Sequence, residues 1–261
     1  MPYVDTGELK LYYEESGAGT PVVFLHGYTL DRRMWRRQVE YFSKNHRIIV
    51  NDSRGHGLSD APDTGYNRVN RLRDLKCLAQ SLQLGKFHIV GLSMGGGVAL
   101  AYAIEHPDDL LSLTLVDSGA AGYPPPPGYR KLPKVTSPAD VASARTQWIE
   151  SALSYYKNEN LRRELAEVMT GHSDKVWLDP LRGKYPVFDD INGSKSVKIP
   201  TLIFVGGKDR YFIPLAKTLH QNIEGSELDI VPDVGHMLNM EAPERFNQRL
   251  AQFLDRVDQN H

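Results

Sequence analysis

Apolar positions along this chain recur with two periods that take turns from one end to the other. Short continuous apolar runs stand at "PVVFLH" (Pro21–His26), "RIIVND" (Arg47–Asp52), "FHIV" (Phe87–Val90), "LLSLTLVD" (Leu110–Asp117), "IPTLIFVG" (Ile199–Gly206) and "ELDIVP" (Glu227–Pro232). Runs of that length, rich in Val, Ile and Leu and bounded by turn residues, predict buried strands. "ELKLYYEE" (Glu8–Glu15) alternates instead, as an antiparallel strand does, and Asp5–Gly7 before it predicts a hairpin. Between the runs lie stretches with helical spacing. They are Arg33–Phe42 (through Met34, Trp35, Val39 and Phe42), Asn67–Leu84, the segment from Ser93 to the stop at Pro107, Pro214–Ile223 and Pro243–Val257. Strand and helix in alternation predict a mostly parallel sheet with helices on both faces. Functional groups are then expected at the carboxyl ends of the strands.

One interval breaks the pattern. Residues 118–199 lack buried-strand runs, contain the tetraproline Pro124–Pro127 and carry Tyr123, Tyr129, Trp148, Tyr155, Tyr156, Trp177 and Tyr185. A loop of that length without structure does not suit a compact domain. "ADVASARTQWIESALSYY" (Ala139–Tyr156) and "NLRRELAEVMT" (Asn160–Thr170) have helical character. The interval is therefore expected to be a small helical cap, residues 118–199, inserted into a core made of residues 1–117 and 200–261. The prolines would form a stiff hinge or strut.

Composition narrows the function classes. With 31 Lys and Arg against 32 Asp and Glu, the net charge of −1 offers no electrostatic case for nucleic acid or an anionic membrane. The basic cluster "DRRMWRR" (Asp31–Arg37) is expected on the solvated face of a helix. No apolar run is long enough to span a bilayer, and the first residues lack a signal core. A single cysteine, Cys77, allows no internal disulfide and fits a reducing, cytoplasmic compartment. No metal-ligand spacing or phosphate-cradling loop is visible, so neither metal nor cofactor is expected.

The candidate chemistry lies in "HIVGLSMGGGVALAYAIEHP" (His88–Pro107), where a serine sits between glycines as a strand gives way to a helix. Gly91 and Gly95 let the backbone bend sharply there, and the turn would present the Ser93 hydroxyl above the sheet edge with the Met94 amide at a helix N-terminus. A serine hydroxyl needs a base, usually an imidazole oriented by a carboxylate. His236 follows the last strand in "VPDVGHMLNMEAPERF", at the same sheet edge as Ser93, whereas His88 begins a strand and belongs to the opposite edge. Two carboxylates end strands on the right edge: Asp209 in "VGGKDRYF" and Asp117. Both satisfy the order serine, acid, histidine.

Five motifs in order then resemble one family. "FLHGYT", "NDSRGHGLSD", "GLSMGG", "GGKDRYF" and "DVGHMLNMEAP", from Phe24 to Pro243, are similar to the oxyanion loop, the turn after the fourth strand, the nucleophile elbow, the acid loop and the histidine loop of the small capped, cofactor-free α/β-hydrolase-fold serine hydrolases. The resemblance implies an eight-stranded, mostly parallel sheet, with Ser93 as nucleophile, His236 as base and Asp209 as the usual acid. Asp117 occupies the position that some relatives use instead. Amides of Tyr28 and Met94 would bind the oxyanion, and His26 and His56 would brace loops. The resemblance further implies a carboxylic ester hydrolase working through an acyl-serine on a small-molecule ester or lactone. Enol-lactonases, carbon–carbon bond hydrolases, perhydrolases and a slow or non-catalytic ligand receptor share the same frame. Substrate selection is expected from the cap, through Trp148, Tyr155 and Trp177, with Tyr28 and Met237 as the floor.

Overall fold

The apolar runs line up side by side in one sheet of eight strands. The structure, a computed structural model, describes residues 2–124, 133, 135–179 and 188–260. Its strands are β1 (Tyr3–Asp5), β2 (Lys10–Ser16), β3 (Pro21–Leu25), β4 (Arg47–Asn51), β5 (Phe87–Leu92), β6 (Leu110–Val116), β7 (Thr201–Gly206) and β8 (Glu227–Val231). They lie in the order β1-β2-β4-β3-β5-β6-β7-β8. Only the β1–β2 and β2–β4 pairs are antiparallel, and every pair from β4 to β8 is parallel.

The helices are α1 (Arg36–Phe42), α2 (Arg68–Ser81), α3 (Met94–Glu105), α4 (Pro138–Leu153), α5 (Glu159–Val168), α6 (Lys175–Leu178), α7 (Asp190–Gly193), α8 (Ile213–Asn222), α9 (Leu238–Glu241) and α10 (Pro243–Asp258). Continuous apolar strands follow from covering both faces. In β3, Val23 and Leu25 pack with α2, α3 and α8, while Val22 and Phe24 pack with α1 and α10. On the second face Trp35 lies 5.0 Å from Phe24 and 6.1 Å from Phe246, ring to ring. Each large side chain so buried stabilises the fold by roughly 1.5–3 kcal/mol. Helix α2 begins where the sequence signals it, with the Asn67 side chain accepting from the Asn70 amide.

Two expectations change. The stretch Arg33–Phe42 is a 3₁₀ turn, Arg32–Trp35, followed by α1. Its arginines are not simply solvated: Arg32 is largely buried and pairs at 2.7 Å with the fully buried Asp52. Arg37 reaches Glu164 on α5 at 2.8 Å, tying α1 to α5.

The inserted layer is α4, α5 and α6. Helix α4 starts in a capping box of Ser137 and Asp140, and Trp177 packs on Val141 and Ala144 as a small separate core. Helix α7 and the 3₁₀ turn Ser194–Ser196 pack against α3 and α8 of the core. There Asp190 takes the Ala121 amide at 2.7 Å and pairs with Arg68. Pro125–Pro127, Tyr129 and Tyr185 lie outside the described residues. Among the described residues no helix is long and apolar enough to cross a membrane.

Candidate active site

Ser93 joins β5 to α3 with φ 54° and ψ −109°, a backbone region that residues with a Cβ rarely occupy. Three hydrogen bonds hold it there. Its N–H donates to Val116 O at 3.0 Å, and its carbonyl accepts from Gly97 N at 3.0 Å and Gly119 N at 3.1 Å. The bend is that tight because no Cβ intervenes: one at Gly91 would collide with the Gly95 carbonyl, and one at Gly95 with the Leu25 carbonyl. The half-buried Ser93 side chain thus stands at the carboxyl edge, and Met94, the first residue of α3, has an N–H without an intrahelical acceptor.

The loop after β3 forms the neighbouring wall. His26 Nδ1–H donates to Gly27 O at 2.8 Å, and its Nε2 accepts from Ser53 N at 2.9 Å. One tautomer satisfies both bonds, and burial pushes the imidazole pKa down, which keeps it neutral. Tyr28 follows. Thr29, at φ 62°, donates its hydroxyl to Tyr28 O at 2.6 Å and accepts the Trp148 indole N–H at 2.9 Å.

On the far side, Asp209 lies in the tight turn after β7, where its N–H donates to Gly206 O at 2.9 Å. Its Oδ2 takes the His236 Nδ1–H at 2.6 Å. That bond leaves Nε2 of His236 as an acceptor. The Phe212 ring packs 4.7 Å from the imidazole, and the Lys208 amide donates to Val234 O at 2.8 Å, locking the two loops together. Glu241 braces the histidine loop by accepting the Gly235 amide on both oxygens at 3.0 Å. Burial raises its carboxyl pKa.

Asp117, the other acid candidate, is also here. Ligand-type atoms of Asp117, Asp209 and His236 all lie within 4.8 Å of one another, a spacing that suits a bound cation or a hydrogen-bonded relay alike. The imidazole bond belongs to Asp209. Asp117 instead accepts the Gly206 amide at 2.9 Å.

Of the cap residues, Trp148 and Trp177 bring their rings to 6.1 and 6.0 Å from Tyr28. The Trp177 indole N–H donates inward to His172 Nε2 at 2.7 Å. Met237 is buried beside Leu238 and Met240. Tyr155 is 65% exposed, and the structure does not bring it into this cluster. The buried tyrosine is its neighbour Tyr156, near the Met237 amide and the carboxylates of Glu241, Asp117 and Asp209, with its pKa raised by burial. Helix α4 ends at Leu153, so both tyrosines lie beyond its last residue. Glu241, Thr29 and His172 were not singled out in the sequence. Glu241 had a legible signal, five residues after His236 and just before Pro243.

Residues 22–249 match the model of the alpha/beta hydrolase family. The chain belongs to that family. It is 32% identical over 271 residues to the AB hydrolase superfamily protein YisY of Bacillus subtilis (strain 168), covering 96% of this chain and 98% of that one. It is 28% identical over 242 residues to 3-oxoadipate enol-lactonase 1 of Acinetobacter baylyi, covering 90% and 89%. Among solved structures, a thermophilic esterase from Thermogutta terrifontis superposes with a TM-score of 0.86 at 28% identity, covering 98% of both chains. This alpha/beta hydrolase is therefore a hydrolase-family enzyme with the eight-stranded sheet that its motifs implied.

Proposed function

We propose that this alpha/beta hydrolase cleaves carboxylic esters of small molecules through an acyl-serine, with Ser93 as nucleophile, His236 as base and Asp209 as its orienting acid. The observation that carries this reading is the 2.6 Å bond between His236 Nδ1 and Asp209, at the sheet edge where Ser93 is held in its strained turn. His236 Nε2 takes the hydroxyl proton as Ser93 Oγ attacks the ester carbon. The amides of Met94 and Tyr28 receive the oxyanion. Collapse expels the alcohol, which leaves with the proton from His236, and water attacks the acyl-serine by the same route in reverse. Asp209 keeps its charge throughout and holds the imidazole in one tautomer.

Similarity to the thermophilic esterase over nearly the whole chain supports an ester as substrate. Similarity to an enol-lactonase over 90% of the chain supports lactones as a second class on the same machinery. Turnover of nitrophenyl esters and of lactones separates the two. Ser93→Ala should lower turnover by about 10⁴-fold or more, and Asp209→Asn by roughly 10³–10⁴-fold. A serine-directed phosphonate should label the native chain at Ser93 alone. Full activity in Ser93→Ala, or labelling of a different serine, overturns the assignment.

A further inference from the structure

Two buried carboxyl groups stand on one side of one imidazole, and only one of them touches it. Asp117 is 1% exposed and Asp209 7%. Asp209 receives the His236 Nδ1–H at 2.6 Å. Asp117 has less to support a charge. Its Oδ1 accepts a single amide, that of Gly206 at 2.9 Å, and its Oδ2 is buried with no donor from any described residue. Ligand-type oxygens of the two carboxyls nonetheless lie within 4.8 Å of each other. Buried carboxylates that close cannot both ionise, and a bare buried oxygen is costly unless it carries a proton or meets one.

We propose that Asp117 is a positioning residue which keeps a proton on Oδ2 and donates it to Asp209, so that His236 faces a carboxyl–carboxylate pair and not a lone carboxylate. The proton stays on Asp117 through the reaction. Its effect is to draw electron density from Asp209 and so to restrain how strongly that carboxylate holds a proton on the imidazole. The surroundings agree. Burial pushes the Asp117 carboxyl well above the usual carboxylate range, and the negative charge of Asp209 adds to the shift. Glu241 acts in the same direction, and the Gly206 amide opposes it. Among the described residues the other titratable neighbours are His236 itself and Tyr156, while Lys208 pairs with Asp233 at 3.4 Å. The peptide of Asp117 is also fixed for the purpose: φ is 40°, and its N–H donates to Phe204 O at 2.9 Å. Its carboxyl is thereby aimed across β7.

This inference deepens the reading of Ser93, His236 and Asp209 as the reacting set and rests on it. Its test must therefore read the imidazole without any substrate. NMR titration of His236 in the full chain does so, with infrared detection of a protonated buried carboxyl beside it. In Asp117→Asn the amide donates to Asp209 as the acid did and no charge changes, so the midpoint should stay within about 0.2 unit of native. In Asp117→Ala the donor is lost, Asp209 holds the imidazolium more firmly, and the midpoint should rise by roughly 0.5–1 unit. The pH at which ester turnover falls on acidification should move in step. An ionised Asp117 predicts the opposite sign, a fall in both variants, and that result overturns the proposal; so does an unmoved midpoint in Asp117→Ala. Should the alanine variant not fold, the asparagine variant decides. An unmoved midpoint with loss of the protonated-carboxyl band supports the pair, and a fallen midpoint or no such band in the native protein refutes it. If no ester or lactone is turned over, the titration still stands or falls by itself.

Discussion

Acidification should loosen the packing of Trp177 and of the loop after β4 through His172. This side chain is 4% exposed, and its Nε2 accepts the Trp177 indole N–H at 2.7 Å, so the bond exists only while that nitrogen is unprotonated. The backbone around it is stitched to the loop after β4. Residues His56 and His172 pair as an antiparallel bridge, the Gly57 amide donates to Gly171 O at 2.6 Å, and the Ser173 amide donates to Gly55 O at 2.8 Å. Burial, with Arg145 acting in the same direction, lowers the His172 pKa from 6.5 to about 4. Because the folded-state value lies below the unfolded one, the stabilisation is complete above the unfolded value. It is lost as pH falls from about 6.5 toward about 4. The full difference is roughly 3 kcal/mol, of which about 2 kcal/mol is gone by pH 5. His172→Gln supplies an oxygen acceptor to the indole and has no proton to gain. Urea unfolding at about pH 7.5 and pH 5 should therefore show a drop in stability that is smaller in the variant by about 2 kcal/mol. Part of the drop remains, because burial also lowers the pKa values of His26 and His56. Equal pH dependence in the two proteins would refute the assignment of this titration to His172.

Gly95→Ala tests the elbow. In an ordinary helix the change adds stability, but here the methyl group meets the Leu25 and His26 carbonyls. We expect a loss of about 1–3 kcal/mol or more, seen as a lower melting temperature together with weaker phosphonate labelling of Ser93. A melting temperature at or above the native one would contradict it. Trp148→Phe removes the indole bond to Thr29, worth roughly 0.5–1.5 kcal/mol, while keeping a ring beside Tyr28. The ranking of nitrophenyl acetate against hexanoate should change while Ser93 still labels, and an unchanged ranking would remove Trp148 from substrate selection.

Much of this site was legible because the chain writes each loop beside the strand that carries it. The runs ending at Leu25, Leu92, Val116, Gly206 and Val231 mark the carboxyl edge, and Tyr28, Ser93, Asp117, Asp209 and His236 all follow those ends closely. Residue order alone leaves Asp117 and Asp209 open, and only the resemblance favours Asp209. Both are acids just past neighbouring parallel strands, and the difference lies in a turn that carries Asp209 onto His236 while leaving Asp117 on Gly206. Helix α7 escaped notice because four residues show no period. It belongs to the core through distant partners, with Gly193 against Ile104 and Asp190 against Arg68. The end of a helix, unlike its middle, does not say which of two adjacent rings turns inward, and here it is Tyr156 and not Tyr155.

The attachment of Trp148 to Thr29 has a consequence for how such enzymes are rebuilt. Thr29 holds the indole with the same hydroxyl oxygen whose proton goes to the Tyr28 carbonyl. Helix α4 and the loop after β3 are thus a single mechanical part. A cap transplanted from a relative without a donor at that point would arrive with its own pocket and leave Thr29 unanchored. Grafts intended to alter only which molecule is accepted would then also alter how fast the bound molecule reacts. On the proposed mechanism, the α4–α6 layer and the loop after β3 would have to be exchanged together.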